Sequence, residues 1–192
     1  MISKSQSTQI GRNLLKSMVI KDKTRWVLYD HKKNQLGKGE SASFEDARHE
    51  AEKLISSIKF DTLAARKNGI PSAAEFAEAL TAVITDPKSK YWDMLKAHCN
   101  APGRMMTATG LADAAGYAHF SAANSHYGRL GHNIADFLNF TPPGRYKNGD
   151  ILWITALVIE DFDYDPDENG HWRHQLRPEL AAALKIIGIS KV

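Results

Sequence analysis

The chain has 192 residues, 43% of them apolar, and a formal net charge of +3. That length suits one ordinary domain or two small ones, and no run approaches the roughly 18 apolar residues a membrane helix needs. A single cysteine, Cys99, excludes an internal disulfide framework and a multi-cysteine zinc site.

The charge is uneven. Residues 1–70 hold 14 Lys/Arg against 8 Asp/Glu, whereas residues 71–192 hold 11 against 14. A basic segment beside a near-neutral one is compatible with contact to a phosphate backbone, although many basic faces are merely solvated. The opening MISKSQSTQIGRN lacks the apolar core of a signal peptide, so the expectation is a soluble cytoplasmic protein.

In chain order, residues 1–23 are polar and basic, with Ile10, Leu14, Leu15, Met18 and Val19 at roughly helical spacing. They read as a basic arm or a short helix. Six cations up to position 25 (Lys4, Arg12, Lys16, Lys21, Lys23, Arg25) face one acid, Asp22, which suits an arm lying along phosphates. TRWVLYDHKKNQLGKGE reads as a hairpin turning at His31–Asn34. SFEDARHEAEKLISSIKF reads as a helix capped by Ser43 with Asp46 three residues on, its apolar face carrying Ala47, Ala51, Leu54, Ile55 and Ile58. Residues 24–60 are thus expected to form a ββα unit, too small to be very stable alone.

Gly69 and Pro71 mark a linker over 61–70. Ser72 and Glu75 form a capping box that starts a helix bearing Phe76, Leu80 and Val83. Asp86-Pro87 leads into another helix with Tyr91, Trp92, Leu95 and Cys99. Thr107 or Thr109 caps a short helix through Ala115, and Gly116 supplies the left-handed residue of a tight turn.

The next helix begins near His119. Its stripe Phe120, Ala123, Tyr127, Leu130, Ile134 and Phe137 repeats at 3, 4, 3, 4, 3 and is expected to be buried. Ser121, Ser125, Arg129, His132 and Asn133 lie away from it, with Asp136. Small side chains let a helix enter a groove, and Arg, Asn, Ser and His can bond base edges or phosphates. Gly128 and Gly131 permit close backbone approach to a neighbouring element or to nucleic acid. A glycine-softened surface helix of any α-rich domain has the same pattern. The segments C-terminal to this helix favour the nucleic-acid reading. TPPGRYKNGD is turn-rich and brings Arg145 and Lys147, ILWITALVIE reads as a strand, DFDYDPDENG as an acidic turn, HWRHQL as a second strand, and RPELAAALKIIG as a last helix. Helix, turn, helix and hairpin make a winged helix over 71–192. The fold class expected is α+β: a small ββα unit, then a helix-rich winged helix-turn-helix domain.

Residues 88–189 also resemble a module found upstream of the nuclease domain in HNH-type restriction endonucleases. The residues that carry this are Ala101-Pro102-Gly103, Thr107-Ala108-Thr109, Leu111-Ala112, Ala115-Gly116-Tyr117, Ala123-Asn124, Tyr127-Gly128-Arg129-Leu130-Gly131, Trp172, and Leu176-Arg177-Pro178-Glu179. The resemblance implies a DNA-recognition role, with modified DNA as one target, and supplies no binding residue. No HNH domain fits within the 192 residues.

Catalytic readings are weaker. His132-Asn133 and the pair His171/His174 are suitable residue types for an HNH site, without its frame or spacing. Asp161, Asp163 and Asp165 alternate like the start of a calcium loop, but no glycine stands at the sixth position and no glutamate at the twelfth. Cys99 reads as a buried thiol without a partner base. The expectation is therefore a non-catalytic, cofactor-free and metal-free DNA-binding protein, the recognition part of a restriction/modification or defence system. Its DNA-binding residues are Ser121, Ser125, Arg129, His132, Asn133, Arg145 and Lys147, its target double-stranded DNA, with a homodimer allowed. The rival is a protein-binding module, a phage or host factor that modulates such an enzyme, its acidic segment 160–168 imitating nucleic-acid charge.

Overall fold

The computed structural model describes residues 4–159 and 173–190. The chain divides into two units, residues 1–65 and 66–192. The fold is α+β: a four-stranded antiparallel sheet followed by helices. Among the described residues no helix is long and apolar enough to cross a membrane.

The first unit is a meander of β1 (Ser5–Ile10), β2 (Asn13–Ile20), β3 (Lys23–Tyr29) and β4 (Gln35–Ser41), closed by α1 (Phe44–Ala64). The expected arm or helix over 1–23 is therefore corrected to a hairpin of β1 and β2. Its companion turn to β3 passes through Lys21 and Asp22, both at positive φ, the conformation of a two-residue hairpin turn whose usual signature is Asn-Gly. Leu14 and Leu15, adjacent in sequence, point to opposite faces, as strand alternation requires. Leu15 joins Trp26, Leu28, Ala47 and Ala51 in the core, and Leu14 lies half-buried on the far face. The ββα expected over 24–60 is thus the second half of a larger ββββα unit. Ser43 caps α1 as expected, its hydroxyl accepting from the Asp46 N–H at 3.1 Å. The helix runs on to Ala64, four residues into the stretch expected as linker.

The second unit contains α2 (Ala73–Val83), α3 (Lys90–Asn100), β5 (Met105–Thr107), α4 (Ala108–Ala115), α5 (Phe120–Leu138), β6 (Val158–Ile159), β7 (Arg173–Leu176) and α6 (Pro178–Ile186). Its core gathers Phe76 and Leu80 of α2, Met94 and Leu95 of α3, Leu111 of α4, Tyr127, Leu130 and Ile134 of α5, and Leu180 and Leu184 of α6. Both bonds of the Ser72–Glu75 capping box are made, and Pro178 occupies the first turn of α6. Cys99 is buried.

The strand expected over 151–160 is corrected. Trp153–Ala156 forms a 3₁₀ turn packed on α5, and among the described residues the strand is reduced to Val158–Ile159. The short strands form an antiparallel sheet in the order β5-β7-β6. The acidic segment 160–168, with His171 and Trp172, lies outside the described residues.

Candidate nucleic-acid interface

The helix pair α4–α5 is built by local chemistry. Thr107 caps α4, its hydroxyl accepting from the Gly110 N–H at 3.1 Å. Gly116 ends the helix at φ +63, and the Tyr117 N–H bonds back to the Ala112 carbonyl at 2.8 Å. That is the left-handed closure a glycine makes without a Cβ penalty. At the turn Tyr117 stacks on His126, with ring centroids 5.1 Å apart, and the Lys90 ammonium lies 4.3 Å from the Tyr117 ring centre. Burial raises the Tyr117 phenol above its usual range, so it stays neutral beside that cation.

On α5 the buried side is broader than the six-residue stripe. Gly131, Ala135 and Leu138 join it, whereas Phe120, expected inside, is 55% exposed at the first turn. Ser121, Ser125, Arg129, His132 and Asn133 are all on the side opposite the core, away from the buried stripe. Arg129 has no hydrogen-bond or ion-pair partner among the described residues. His132 is engaged: its ring stacks on Trp153 at 4.0 Å between centroids and its Nε2 lies 3.3 Å from the Asp136 carboxylate.

Arg145 and Lys147 belong to a small hairpin formed by residues 145–151, closed by the Arg145–Ile151 bridge and by the Tyr146 N–H bonding to the Asp150 carbonyl at 2.8 Å. Lys147 is exposed at its tip. Arg145 Nη1 donates to the Pro142 and Gly144 carbonyls at 2.6 and 2.7 Å, so part of its guanidinium holds the loop. Tyr146, 56% exposed, shares a cleft with Asn124 and Ser125 of α5. The hairpin and the N-terminal half of α5 thus face one cleft.

In the first unit three of the expected arm cations, Lys16, Lys23 and Arg25, sit on folded strands, while Arg12 and Lys21 lie in the turns and Lys4 precedes β1. One row crosses all four strands as Ser7, Lys16, Val27, Lys38, and the next as Ser5, Met18, Arg25, Glu40. Both lie on the face away from Leu15, Trp26 and Leu28, the side chains that pack with α1. Arg25 is ion-paired to Glu40 at 2.7 Å, and Lys16 stands over the Tyr29 ring.

Sequence reasoning missed the polar group under α5. Tyr127, expected only as core, shares a 3.0 Å hydrogen bond with His98 Nδ1, and His98 Nε2 donates to the His174 carbonyl at 2.8 Å. A carbonyl can only accept, so Nε2 carries the proton and Nδ1 accepts from the phenol. Burial lowers the His98 pKa from 6.5 to about 4, and burial also lowers that of His174. The ring is therefore neutral and ties α3, α5 and β7 together. Between pH 6.5 and about 4 the unfolded chain binds more protons at this ring than the folded one. The contribution to stability is complete above pH 6.5 and declines as pH falls toward 4, by up to about 3 kcal/mol. The melting temperature is expected to fall across this window more steeply in the parent than in His98→Gln. Equal slopes would exclude His98 as the titrating group.

Searches against protein-family models, curated proteins and solved structures find no match to this chain.

Proposed function

We propose that the chain is a non-catalytic DNA-binding protein whose second unit is a winged helix, with α5 as the reading helix. The observation that carries this reading is the outward polar side of α5, set behind a short helix and a glycine turn. At its middle stands Arg129, which has no partner among the described residues. Three further features support it. The sheet order β5-β7-β6 sets β7 against the strand that precedes α4, with β6 on the outer side of β7, the connectivity a wing needs. The 145–151 hairpin, whose Tyr146 lines one cleft with Asn124 and Ser125 of α5, carries an exposed Lys147. In the first unit, Lys16 and Lys38 on the face away from the core are placed to neutralise phosphates. A role as the recognition part of a restriction or defence system rests on the resemblance of residues 88–189 alone.

The test is fluorescence anisotropy with labelled duplex DNA at several salt concentrations. Arg129→Ala is expected to weaken binding by about 1–3 kcal/mol if it reads a base, with an unchanged melting temperature. Removing residues 1–23 would strip β1, β2 and Leu15 from the fold, so the phosphate term is tested by Lys16→Gln with Lys38→Gln instead. That pair should flatten the slope of log affinity against log salt by about 2, at roughly 0.9 per phosphate. Parent protein that shifts no duplex at low salt, yet copurifies with one protein partner, would replace this reading by the protein-binding one.

A further inference from the structure

Two glycines stand a turn apart on α5, and the fold accounts for one of them. A Cβ on Gly131 would collide with the Trp153 carbonyl oxygen, so the 3₁₀ turn can reach the helix only because that side chain is missing. A Cβ on Gly128 would meet nothing within 4 Å. Its φ is not positive, so no backbone conformation demands glycine there. Glycine inside a helix costs about 0.8–1 kcal/mol relative to alanine, and neither packing nor conformation explains that cost at position 128.

The empty space above Gly128 is part of a cleft of about 380 Å³, within the usual range of small-ligand sites. Around it stand Tyr146 and Trp153, the aliphatic Leu152 and Ile154, and three polar side chains: Asn124, Ser125 and His174. Planar aromatics with an amide, a hydroxyl and a neutral imidazole suit a ligand that is flat and apolar on its faces and hydrogen-bonding at its edge. A nucleobase has that form, and proteins hold unstacked bases by aromatic contact and edge hydrogen bonds. The amide of Asn124 offers a donor and an acceptor side by side, the pattern a base edge presents.

We infer that the cleft over Gly128 holds one unstacked nucleobase, extruded from the DNA that α5 engages. The extruded source rests on the DNA-binding reading; the nucleobase chemistry of the cleft does not. Gly128→Leu fills the space and raises helix propensity, so it separates site from fold.

The experiment has two arms on the full chain. In the first, adenosine, guanosine, cytidine and thymidine are titrated in turn at millimolar concentration into isotope-labelled protein while amide and indole resonances are followed. At least one nucleoside is expected to shift the Trp153 indole N–H, the Asn124 side-chain amide and the Gly128 amide saturably. Gly128→Leu, melting at or above the parent temperature, should abolish the response. If no nucleoside shifts these signals, or the variant responds as the parent does, the inference is overturned, whatever the duplex results. In the second arm, anisotropy compares random-sequence duplexes that are fully paired with the same pool carrying one central mismatch, where extrusion costs less. A several-fold preference for the mismatched pool, lost in Gly128→Leu while fully paired duplex is still bound, supports an extruded base. Nucleoside binding without that preference overturns the extruded source in favour of a free nucleoside or nucleotide. Absence of all duplex binding overturns the DNA-binding reading and the extruded source with it, leaving the cleft's chemistry to be decided by the first arm.

Discussion

Leu130→Ala is expected to lower the stability of the second unit by about 2–5 kcal/mol, the range for removing a fully enclosed leucine and leaving a void. Leu130 is completely buried, in one core with Tyr127, Ile134 and the side chains of α2 and α4 that α5 covers. The loss should appear as a lower urea midpoint, and DNA affinity measured well below that midpoint should be unchanged. This contrasts with Arg129→Ala one residue earlier, where the proposed DNA-binding function expects affinity to fall and the midpoint to stay. A Leu130→Ala midpoint equal to the parent's would mean the core of this unit is built differently.

The second large effect is expected at Arg66. Its Nε and Nη2 both donate to Glu75 Oε1, at 2.9 and 2.8 Å, and Nη2 also reaches the Leu138 carbonyl at 2.6 Å. The pair is enclosed, with side-chain exposures of 5% and 16%. Glu75 holds the Ser72 N–H with its other oxygen at 2.8 Å. One guanidinium therefore satisfies the carboxylate that starts α2 and a carbonyl left over at the end of α5. Arg66→Ala strands both, and breaking an enclosed pair from one side costs about 3–5 kcal/mol. Arg66→Lys keeps the charge but loses the fork, and should fall between. A loss below about 1 kcal/mol in urea unfolding would show that the pair behaves like an exposed one.

Arg66 also shows where the sequence is opaque. It lies in a stretch that reads as linker, because an arginine beside Lys67, Asn68 and Gly69 looks solvated until its partners at 75 and 138 are known. Local signals are more legible. Caps at Ser43, Ser72 and Thr107, the turn at Gly116 and Pro178 at the start of α6 each depend on neighbours within a few residues, and each is found. The β1–β2 hairpin is hidden for two reasons. β1 is an exposed edge strand of Ser, Gln and Thr with no alternation to read, and Leu14, Leu15, Met18 and Val19 mimic helical spacing while belonging to both faces of β2. ILWITALVIE misleads differently. Its central residues Ile154–Val158 are all buried, and a continuously buried run has no period, so periodicity cannot separate a strand from the 3₁₀ turn laid across Gly131.

The same limit applies to the candidate site. The outward positions of α5 can be picked out from a helical wheel, and they do stand away from the core. The cleft beside them cannot be, since Tyr146, Trp153 and His174 arrive from three separate segments. Gly128 is visible as a glycine in a helix, but only the contrast with Gly131 distinguishes space kept open from space occupied by backbone.

Cys99 gives the protein an internal clock. It is the chain's single thiol, and it is enclosed in the second unit with Met94 and Leu95 of the same helix. A thiol reagent reaches it only when that unit opens. Labelling kinetics therefore report the opening of residues 66–192 alone, with the four-stranded unit silent, and the ratio of the observed rate to that of an exposed thiol measures the opening free energy without denaturant.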